Sequence, residues 1–405
     1  MTQGNDPTVS TFVQFNIYLH PDNSSFNFQP NTIMRRPCYI YLMLVLLASL
    51  LYSCKSNSGQ TEDFGGIVLE APMIDAEITD KPVYSDYIVS ADTIMLESTE
   101  LESYIYYTQD LICTSQYIFI LSRDAVYMFD YQGKFIRKIH RIGRGPGEFL
   151  SIRQFDVQEE QELISIYDNQ SRSMLIYNFK SEFIRKFTVQ QYIAEFAVLP
   201  NGHYLFYNYE DYINGIRGLF ETDENGNIIK NLYEIPDYYK HIYHDYRRLM
   251  HVNKDMVSFL GLEDTDIIFH FENDSLYPAY KIKTDITMPR EIMEKTTLWQ
   301  DLDKEYSKIS YFESDKVLGV TLFNIETSVT VFYNKEKEHI FRLYPSEWKE
   351  DESVADRFPH SRFTFNGRFS YVIEREWILE DEDEMKKFPG YTEESNPVVI
   401  IFNTK

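Results

Sequence analysis

Short hydrophobic blocks separated by polar turns recur along most of this 405-residue chain, and one block occurs twice with similar residues in the same order. Residues 129 to 138 read FDYQGKFIRK, and residues 177 to 186, which lie 48 positions later, read YNFKSEFIRK. Weaker copies begin at Thr222 and Tyr333. Short strands and polar turns that repeat about every 40 to 50 residues are typical of propeller blades. The pattern therefore predicts an array of small β-sheets.

The second copy predicts four strands, which we call a to d from the axis of a propeller outward. They cover residues 154 to 157, 163 to 167, 174 to 177 and 182 to 187. The turns between them are rich in Asp, Asn, Gln, Glu and Ser, and most of these residue types favour turns. In the first copy the same pattern predicts strands b, c and d at 117 to 121, 126 to 129 and 135 to 139.

An Asp, Asn or Glu closes strand c of each predicted blade. The positions are Asp130, Asn178, Asp223, Glu272, Asn334 and Asn403. The first three spacings are 48, 45 and 49 residues and the last two are 62 and 69, which indicates insertions in the later blades. We expect an all-β fold, a six-bladed β-propeller of four-stranded blades that occupies residues 87 to 405.

The last predicted strand c is followed at once by Lys405, so the sixth blade lacks its outer strand d. Residues 93 to 97 form a spare predicted strand upstream of the first blade. We expect this strand to complete the sixth blade, with Ile94 and Leu96 packed beside Val399 and Ile401. Such a closure leaves no strand edge open.

Four long insertions fall in d-to-a or b-to-c connections, which emerge on the same side of a propeller. They cover residues 236 to 249, 286 to 306, 346 to 361 and 375 to 396. Exposed aromatic rings beside polar groups suit the recognition of sugars or peptides. The alternative is that these rings only pack the insertions onto the disc. The predicted binding residues are Tyr238, Tyr239, Tyr243, His244, Arg247, Trp299, Trp348, Trp377 and Tyr391.

Composition supports strands and excludes one class of partner. The chain holds 32 Tyr and 29 Phe, and aromatic residues are enriched in strands. Its formal net charge is −24. Because an acidic surface repels phosphates, nucleic-acid partners are disfavoured.

The N-terminal part carries a signal-like segment. Arg35 and Arg36 precede an apolar run from residue 39 to 52, which is too short to span a bilayer core of about 30 Å but suits a secretory signal. The run ends in Leu-Tyr-Ser before Cys54, which resembles a bacterial lipobox. We expect residues 1 to 54 to be a leader and signal peptide, Cys54 to carry lipid, and residues 55 to 86 to be a linker and N-terminal segment. Met34 is an alternative start, and a short membrane anchor or a chance apolar segment is the alternative interpretation.

The motif from Asp130 to Ile139, followed by GRGPGEF at residues 143 to 149, resembles the six-bladed β-propeller lipoproteins abundant in Bacteroidota, relatives of NHL-repeat propellers. Residues 166 to 177 are similar to the NHL pattern of an Asp, then Asn and Arg in a turn, then an apolar strand. The resemblance covers residues 55 to 405. It implies an exported protein that is anchored to a membrane by lipid, on the periplasmic or the cell-surface side, and it implies no particular activity.

Residues 143 to 148 could be read as a phosphate cradle, because glycines free backbone N–H groups for an anion. Pro146 removes a donor, and the Lys-Ser/Thr pair of a P-loop is missing. We interpret the segment as a tight connection from strand d of the first blade to strand a of the second. Arg144 and Glu148 are candidates for lining the central channel.

Three further features invite a chemical reading. His241, His244 and His251 could bind metal with Asp245, but an aromatic binding loop is favoured. The acidic run at 380 to 384 could suggest calcium, but consecutive side chains do not converge on one ion, so a solvated loop is favoured. Once Cys38 is removed and Cys54 lipidated, the remaining Cys113 is expected to be a buried, inert thiol. The sequence thus predicts no metal and no cofactor.

Two functions follow. The first is a lipid-anchored, non-enzymatic propeller of the cell envelope that binds a glycan, a peptide or an envelope protein on its loop-rich face. The second is a propeller enzyme, such as a lyase or a metal-dependent hydrolase, with acids and histidines at the mouth of the central channel.

Overall fold

The computed structural model describes residues 64–70, 88–98, 102–208, 216–235, 248–261, 266–284, 308–323, 328–343 and 363–404. Six sheets of four strands stand in a ring, so the protein is a six-bladed β-propeller, as the sequence predicts. Two strands precede the first complete blade, β1 (Ile67–Glu70) and β2 (Ile88–Met95). No helix within the described ranges is long and apolar enough to cross a membrane.

The first three blades are each built from four consecutive antiparallel strands. They are β3 (Asp110–Cys113), β4 (Tyr117–Ser122), β5 (Ala125–Asp130) and β6 (Phe135–Ile139); β7 (Ile152–Gln158), β8 (Leu163–Asp168), β9 (Ser173–Asn178) and β10 (Phe183–Thr188); and β11 (Glu195–Val198), β12 (Tyr204–Asn208), β13 (Gly218–Thr222) and β14 (Ile228–Glu234). The predicted strands of the first two blades are confirmed to within about two residues at each end.

The last three blades follow the same order. Their strands are β15 (Met250–Asn253), β16 (Met256–Leu260), β17 (Ile267–Glu272) and β18 (Ser275–Lys283); β19 (Lys308–Glu313), β20 (Val317–Phe323), β21 (Ser328–Asn334) and β22 (His339–Leu343); and β23 (Phe363–Phe365), β24 (Arg368–Ile373) and β25 (Val398–Thr404). Two short helices, α1 (Arg375–Glu380) and α2 (Glu382–Lys387), lie between β24 and β25.

The turns after strand c explain the repeated Asp or Asn. The Asp130 carboxylate accepts hydrogen bonds from the N–H groups of Gln132 and Lys134, both at 2.9 Å. Asn178 and Asp223 bond in the same way to the backbone two and four residues further on. A short acceptor side chain at this position therefore satisfies the turn that leads into strand d.

The sixth blade receives its outer strand from the N-terminal side of the chain. Strand β2 pairs antiparallel with β25, and Ile94 stands opposite Val399. The strand begins earlier than the sequence pattern indicates, at Ile88, and ends at Met95, before Leu96. Ile94 and Leu96 lie with Val399 and Ile401 in one buried cluster.

The fourth blade carries a fifth strand on its outer edge. Strand β1 pairs in parallel with β18, with Ile67 opposite Tyr280 and Glu70 opposite Lys283. Leu69 is its one buried side chain, and it joins the core between the fourth and fifth blades. The Glu70 carboxylate also accepts a hydrogen bond from Lys283 Nζ at 2.9 Å. Part of the segment interpreted as a linker thus belongs to the propeller.

The hydrophobic core is divided among the interfaces between blades. Six buried clusters are found, and each is made mainly of side chains from two neighbouring blades. Fully buried aromatic rings fill them, including Phe129, Phe155, Tyr177, Phe206 and Phe259. Burial of one such side chain stabilises the fold by roughly 1.5–3 kcal/mol. The many aromatic side chains therefore stabilise the packing of each blade against the next.

Candidate functional site

The two faces of the disc differ in the length of their connections. The a-to-b and c-to-d connections, all of them described, are five residues long or shorter, and we call their side the short-turn face. The d-to-a and b-to-c connections emerge on the other side, which we call the long-connection face. From β2 onward, every connection of more than six residues belongs to it: 96–109, 140–151, 209–217, 235–249, 284–307, 344–362 and 374–397. Long loops on a rigid scaffold are where binding sites usually lie.

Most of the predicted binding residues lie outside the described residues. These are Tyr238, Tyr239, Tyr243, His244, Arg247, Trp299 and Trp348, and the predicted lipid site Cys54 also lies outside. Trp377 is described and lies on α1 with 45% of its surface exposed. Tyr391 is buried, and its hydroxyl donates to the Asn396 carbonyl at 2.8 Å. The Tyr391 ring thus packs its connection onto the sixth blade and offers no binding surface.

The loop from 140 to 151 connects the first blade to the second, as the sequence indicates. Arg144 is exposed, and the Glu148 carboxylate turns back to accept a hydrogen bond from the Gly145 N–H at 2.7 Å. Tyr177 donates to the carbonyl of Gly147 at 2.7 Å, which ties the loop to strand β9. The Glu148 carboxylate therefore stabilises its own loop. That Arg144 and Glu148 line the central channel stays a prediction.

A cluster of tyrosines and arginines lies on the long-connection face where the sixth blade meets the first. We call it the Tyr–Arg platform, and it consists of Tyr104, Tyr106, Arg123 and Arg375. The rings of Tyr104 and Tyr106 meet edge to face, with centroids 5.2 Å apart. The Arg123 guanidinium stacks 3.4 Å from the Tyr106 centroid, and the Arg375 guanidinium lies 4.9 Å from that of Tyr104. Aromatic pairs and cation–π contacts of this kind stabilise each other's positions.

The platform is held in place by Asn396, at the end of the connection between β24 and β25. The Asn396 side chain accepts from the N–H of Ile105 at 2.7 Å and donates to the carbonyls of Glu97 and Ser103 at 2.6 and 2.8 Å. Ile105 is buried, so the rings on either side of it point the other way. Tyr106 and the neighbouring Tyr107 are each 46% exposed.

The two arginines of the platform differ in their surroundings. Arg375 has a side chain that is only 12% exposed; it donates to the Tyr104 hydroxyl and to the Glu376 carboxylate, the latter at 2.8 Å. Arg123 is exposed at the tip of the turn between β4 and β5. Arg375 is thus a structural member of the platform, and Arg123 is its open cation.

The axis of the ring is occupied by Arg248, which lies just before β15. It reaches the opposite blade, where Nε donates to Asp110 at 2.9 Å and Nη2 donates to the same carboxylate. Nη2 also donates to the carbonyl of Phe155 at 3.1 Å. One guanidinium therefore joins the inner strands of three blades.

Two further buried acids surround this guanidinium and also link neighbouring blades. Glu195 accepts from the N–H groups of Leu249 and Met250 at 2.7 and 3.0 Å, and Asp156 accepts from that of Val198 at 2.7 Å. Burial raises the pKa of Glu195 to about 7 and that of Asp156 to about 6, because hydrogen bonds and Arg248 offset only part of the desolvation. Burial also raises the pKa of Asp110.

A second charged cluster joins the fourth and fifth blades near the short-turn face. The buried Glu313 carboxylate accepts from Lys335 Nζ at 2.6 Å and lies 2.9 Å from His270 Nε2. Burial alone would raise the pKa of Glu313, but the hydrogen bond from His270 and the ammonium group of Lys335 outweigh it and hold the pKa at about 2. The Glu313 carboxylate, bound by Lys335 and His270, thus links the two blades.

The other candidates of the sequence are placed as follows. His251 is buried in β15, and its Nδ1 lies 2.5 Å from the hydroxyl of Thr364. Cys113 is buried, as predicted, and burial raises the pKa of its thiol to about 12. Over the described ranges, no three His, Cys, Asp or Glu side chains are grouped so as to hold a metal ion.

The acidic run at 380 to 384 covers the last residue of α1, the cap residue Asp381 and the first turn of α2, which corrects the expectation of a loop. Asp381 caps α2 and accepts from the N–H groups of Asp383 and Glu384 at 2.8 and 3.2 Å. Acids in the first turn of a helix are stabilised by its free N–H groups and dipole. Their concentration here therefore has a local structural cause.

Sequence reasoning missed the platform. Its tyrosines lie in a connection of 14 residues, no longer than the shortest insertion that drew attention, and Arg123 lies in a turn of two. One signal was present, since the motif from Tyr104 to Tyr107 places three tyrosines within four residues just before the first inner strand.

Comparison with known proteins identifies relatives of this fold. The profile described as "Domain of unknown function (DUF4934)" matches residues 72–403. A solved structure from Bacteroides fragilis NCTC 9343, of a protein named for its expected export, superposes with a TM-score of 0.67 at 16% identity and covers 84% of this chain and 99% of its own. A DUF4221 family member from Bacteroides vulgatus is similar at a TM-score of 0.49 and 12% identity, with 78% of this chain and 97% of its own covered. The search of curated proteins yields no match.

Proposed function

Since the chain belongs to the DUF4934 family, a domain of unknown function, and is built as a six-bladed propeller, we propose that it is a binding protein of the cell envelope. It holds a glycan, a peptide or a partner protein on the long-connection face. This face presents the long connections, whereas the short-turn face offers only turns of five residues or fewer.

The observation that carries the proposal is the Tyr–Arg platform. Exposed apolar side chains are normally scattered singly on a monomer, but here the half-exposed Tyr106 ring contacts Tyr104 and the Arg123 guanidinium, and the half-exposed Tyr107 is adjacent to it. Rings that are already ordered lose little conformational entropy when a ligand stacks on them. The platform is therefore prepared for binding before a ligand arrives.

The enzymatic alternative receives less support. It requires acids that are free for proton transfer at the mouth of the channel. The acids that surround Arg248 are engaged by it or by backbone N–H groups, and they are Asp110, Asp156 and Glu195. A reaction there would first have to dismantle contacts that join the blades.

Location in the envelope is supported by the apolar run that ends at Cys54 and by the likeness to a structure of a protein named for its expected export. We place Cys54 as the lipid-bearing residue that tethers the propeller. A Cys54→Ser protein should lose lipid labelling and membrane association. Wild-type protein that is found soluble with residues 35 to 53 intact would contradict the anchor.

The binding face is tested by replacing its exposed rings together, in a protein with Tyr106→Ala, Tyr107→Ala and Trp377→Ala. On glycan and peptide arrays this variant should lose about tenfold or more of the wild-type affinity, because removal of anchoring aromatic residues typically costs that much. Tyr277→Ala is the matched control, since Tyr277 is 40% exposed on the outer strand β18. Loss with the control and retention with the triple variant would place the site elsewhere.

A further inference from the structure

Arg123 is a cation held in place without an anion. Its guanidinium rests on the Tyr106 ring, and in the part of the chain that the structure describes it makes no hydrogen bond or ion pair. The adjacent Asp124 carboxylate accepts from the N–H of Ile152 at 3.2 Å, and within the described residues it forms no ion pair with Arg123. The formal net charge of the chain is −24, so the Arg123 guanidinium is a local positive group on an acidic protein.

The stacking decides which part of the guanidinium remains available. Because one face of the group lies on the ring, the free N–H groups are presented along its edges, where a carboxylate can accept two parallel hydrogen bonds. The backbone of Arg123 is in the left-handed region, with φ of 52°, which places the side chain at the tip of the turn. Charge and geometry are thus both fixed before binding.

Building on the binding function proposed above, we propose that the Tyr–Arg platform recognises an anionic polysaccharide. Arg123 binds the carboxylate of a uronic acid unit, and the exposed parts of Tyr106 and Tyr107 pack against sugar rings. The ligand is selected by its negative charge, although the rest of the protein repels it.

A sugar fits this site better than an acidic peptide. Peptides are recognised by addition to a free strand edge, by an apolar groove or, when acidic, by a cluster of arginines. The strands that carry Arg123 are β4 and β5, and both are already paired on their two sides. The platform offers flat rings and one guanidinium, which match the faces and the carboxylate of a uronic acid.

The test uses two polymers that share one backbone and differ in whether the carboxyl group is ionised or methyl-esterified. Polygalacturonate and its methyl-esterified form share one backbone, but esterification removes the carboxylate charge. We expect the full-length protein to bind polygalacturonate in calorimetry, to bind the ester at least about tenfold more weakly, and to bind less tightly as salt is raised.

Arg123→Gln should reduce affinity for polygalacturonate about tenfold or more and leave the weak binding of the ester unchanged. Arg172→Gln is the matched control, because Arg172 is exposed in the corresponding turn of the second blade and has a φ of 49°. It should leave both affinities unchanged. Thermal melting of the two variants verifies that each is folded.

The outcomes separate this proposal from the one on which it rests. Equal binding of the two polymers, with loss in the triple aromatic variant, would overturn the charge selection and leave the binding face intact. If the protein binds polygalacturonate tightly and Arg123→Gln does not weaken that binding, the carboxylate does not bind at Arg123. Binding of polyglutamate, or of no anionic polysaccharide at all, would overturn the ligand class.

Discussion

At the scale of single residues, the buried charges of this protein serve as bridges between blades. Glu313 shows this most directly, because it contacts Lys335 of the fifth blade and His270 of the fourth and is itself almost fully buried. A carboxylate in such a position is stabilising only as long as both partners remain. Its replacement therefore tests how firmly the fourth and fifth blades are joined.

We predict that Glu313→Gln lowers the free energy of unfolding by about 3–5 kcal/mol at pH 7, because Lys335 is left largely buried without a counter-charge. The folded pKa of about 2 lies below the ordinary value of 4.5, so the unfolded protein binds more protons between these values. The contribution is thus full above pH 4.5 and is lost as the pH falls toward 2.

Chemical denaturation of wild type and variant at several pH values measures this difference. The control is Glu272→Gln, since Glu272 is only partly buried at the end of β17, and its hydrogen bond from Tyr277 is exposed. If the difference between wild type and Glu313→Gln stays constant from pH 7 to pH 2.5, the ion bridge does not contribute as argued.

At the scale of elements, strands were predictable where the repeat constrains them. The alternation of apolar and polar positions, together with an Asp or Asn after strand c, locates β8 to β10 almost residue by residue. Strand β1 was not predictable, since four residues on the edge of the fourth blade are strand only because β18 offers a partner. Helix α2 carried a readable signal, because Asp381 and Glu384 have the spacing of a capping box.

The platform was beyond the reach of sequence patterns for a related reason. Tyr104 and Arg375 are 271 positions apart, and Ile105 and Asn396 are 291 apart. Their meeting depends on the closure of the ring, which brings the first and last blades together. The sequence pointed to the long-connection face as the binding face, which stays a prediction, and it did not indicate the platform.

Strand β2 is the element on which ring closure depends. Removal of residues 88 to 98 should expose the outer edge of β25, whose N–H and C=O groups then lack partners. We expect aggregation or a large fall in melting temperature. Light scattering and calorimetry measure both, and removal of residues 64 to 70 is the control, since β1 only lengthens a blade that is already complete. A protein without β2 that melts like wild type would refute the closure.

At the scale of the whole molecule, the ring is stabilised by contacts near its axis as well as by the pairing of β2 with β25 at its outer edge. Arg248 connects opposite blades across the centre, and three acids surround it. We predict that Arg248→Met destabilises the fold by about 3–5 kcal/mol at pH 8, because the acids are left buried without a cation.

The pH dependence of that variant has a definite sign. The raised pKa values of Glu195 and Asp156 mean that the folded protein holds protons which the unfolded protein has released, so stability falls as the pH rises from about 4.5 to 7. Without Arg248 this effect grows, and the variant should recover part of its stability at pH 5. Melting curves at pH 5 and pH 8 decide this, with Arg172→Met as the control. Equal destabilisation at both pH values would show that Arg248 does not balance these acids.

The parallel pairing of β1 with β18 also has a mechanical consequence. A pull on the chain upstream of Phe64 acts along the strand direction and shears the four residues of β1 before any force reaches β2. Once β1 has detached, the load reaches the propeller through β2, which is held by its antiparallel pairing with β25. A propeller tethered at its N-terminus would therefore lose β1 first, while its six four-stranded blades remain complete.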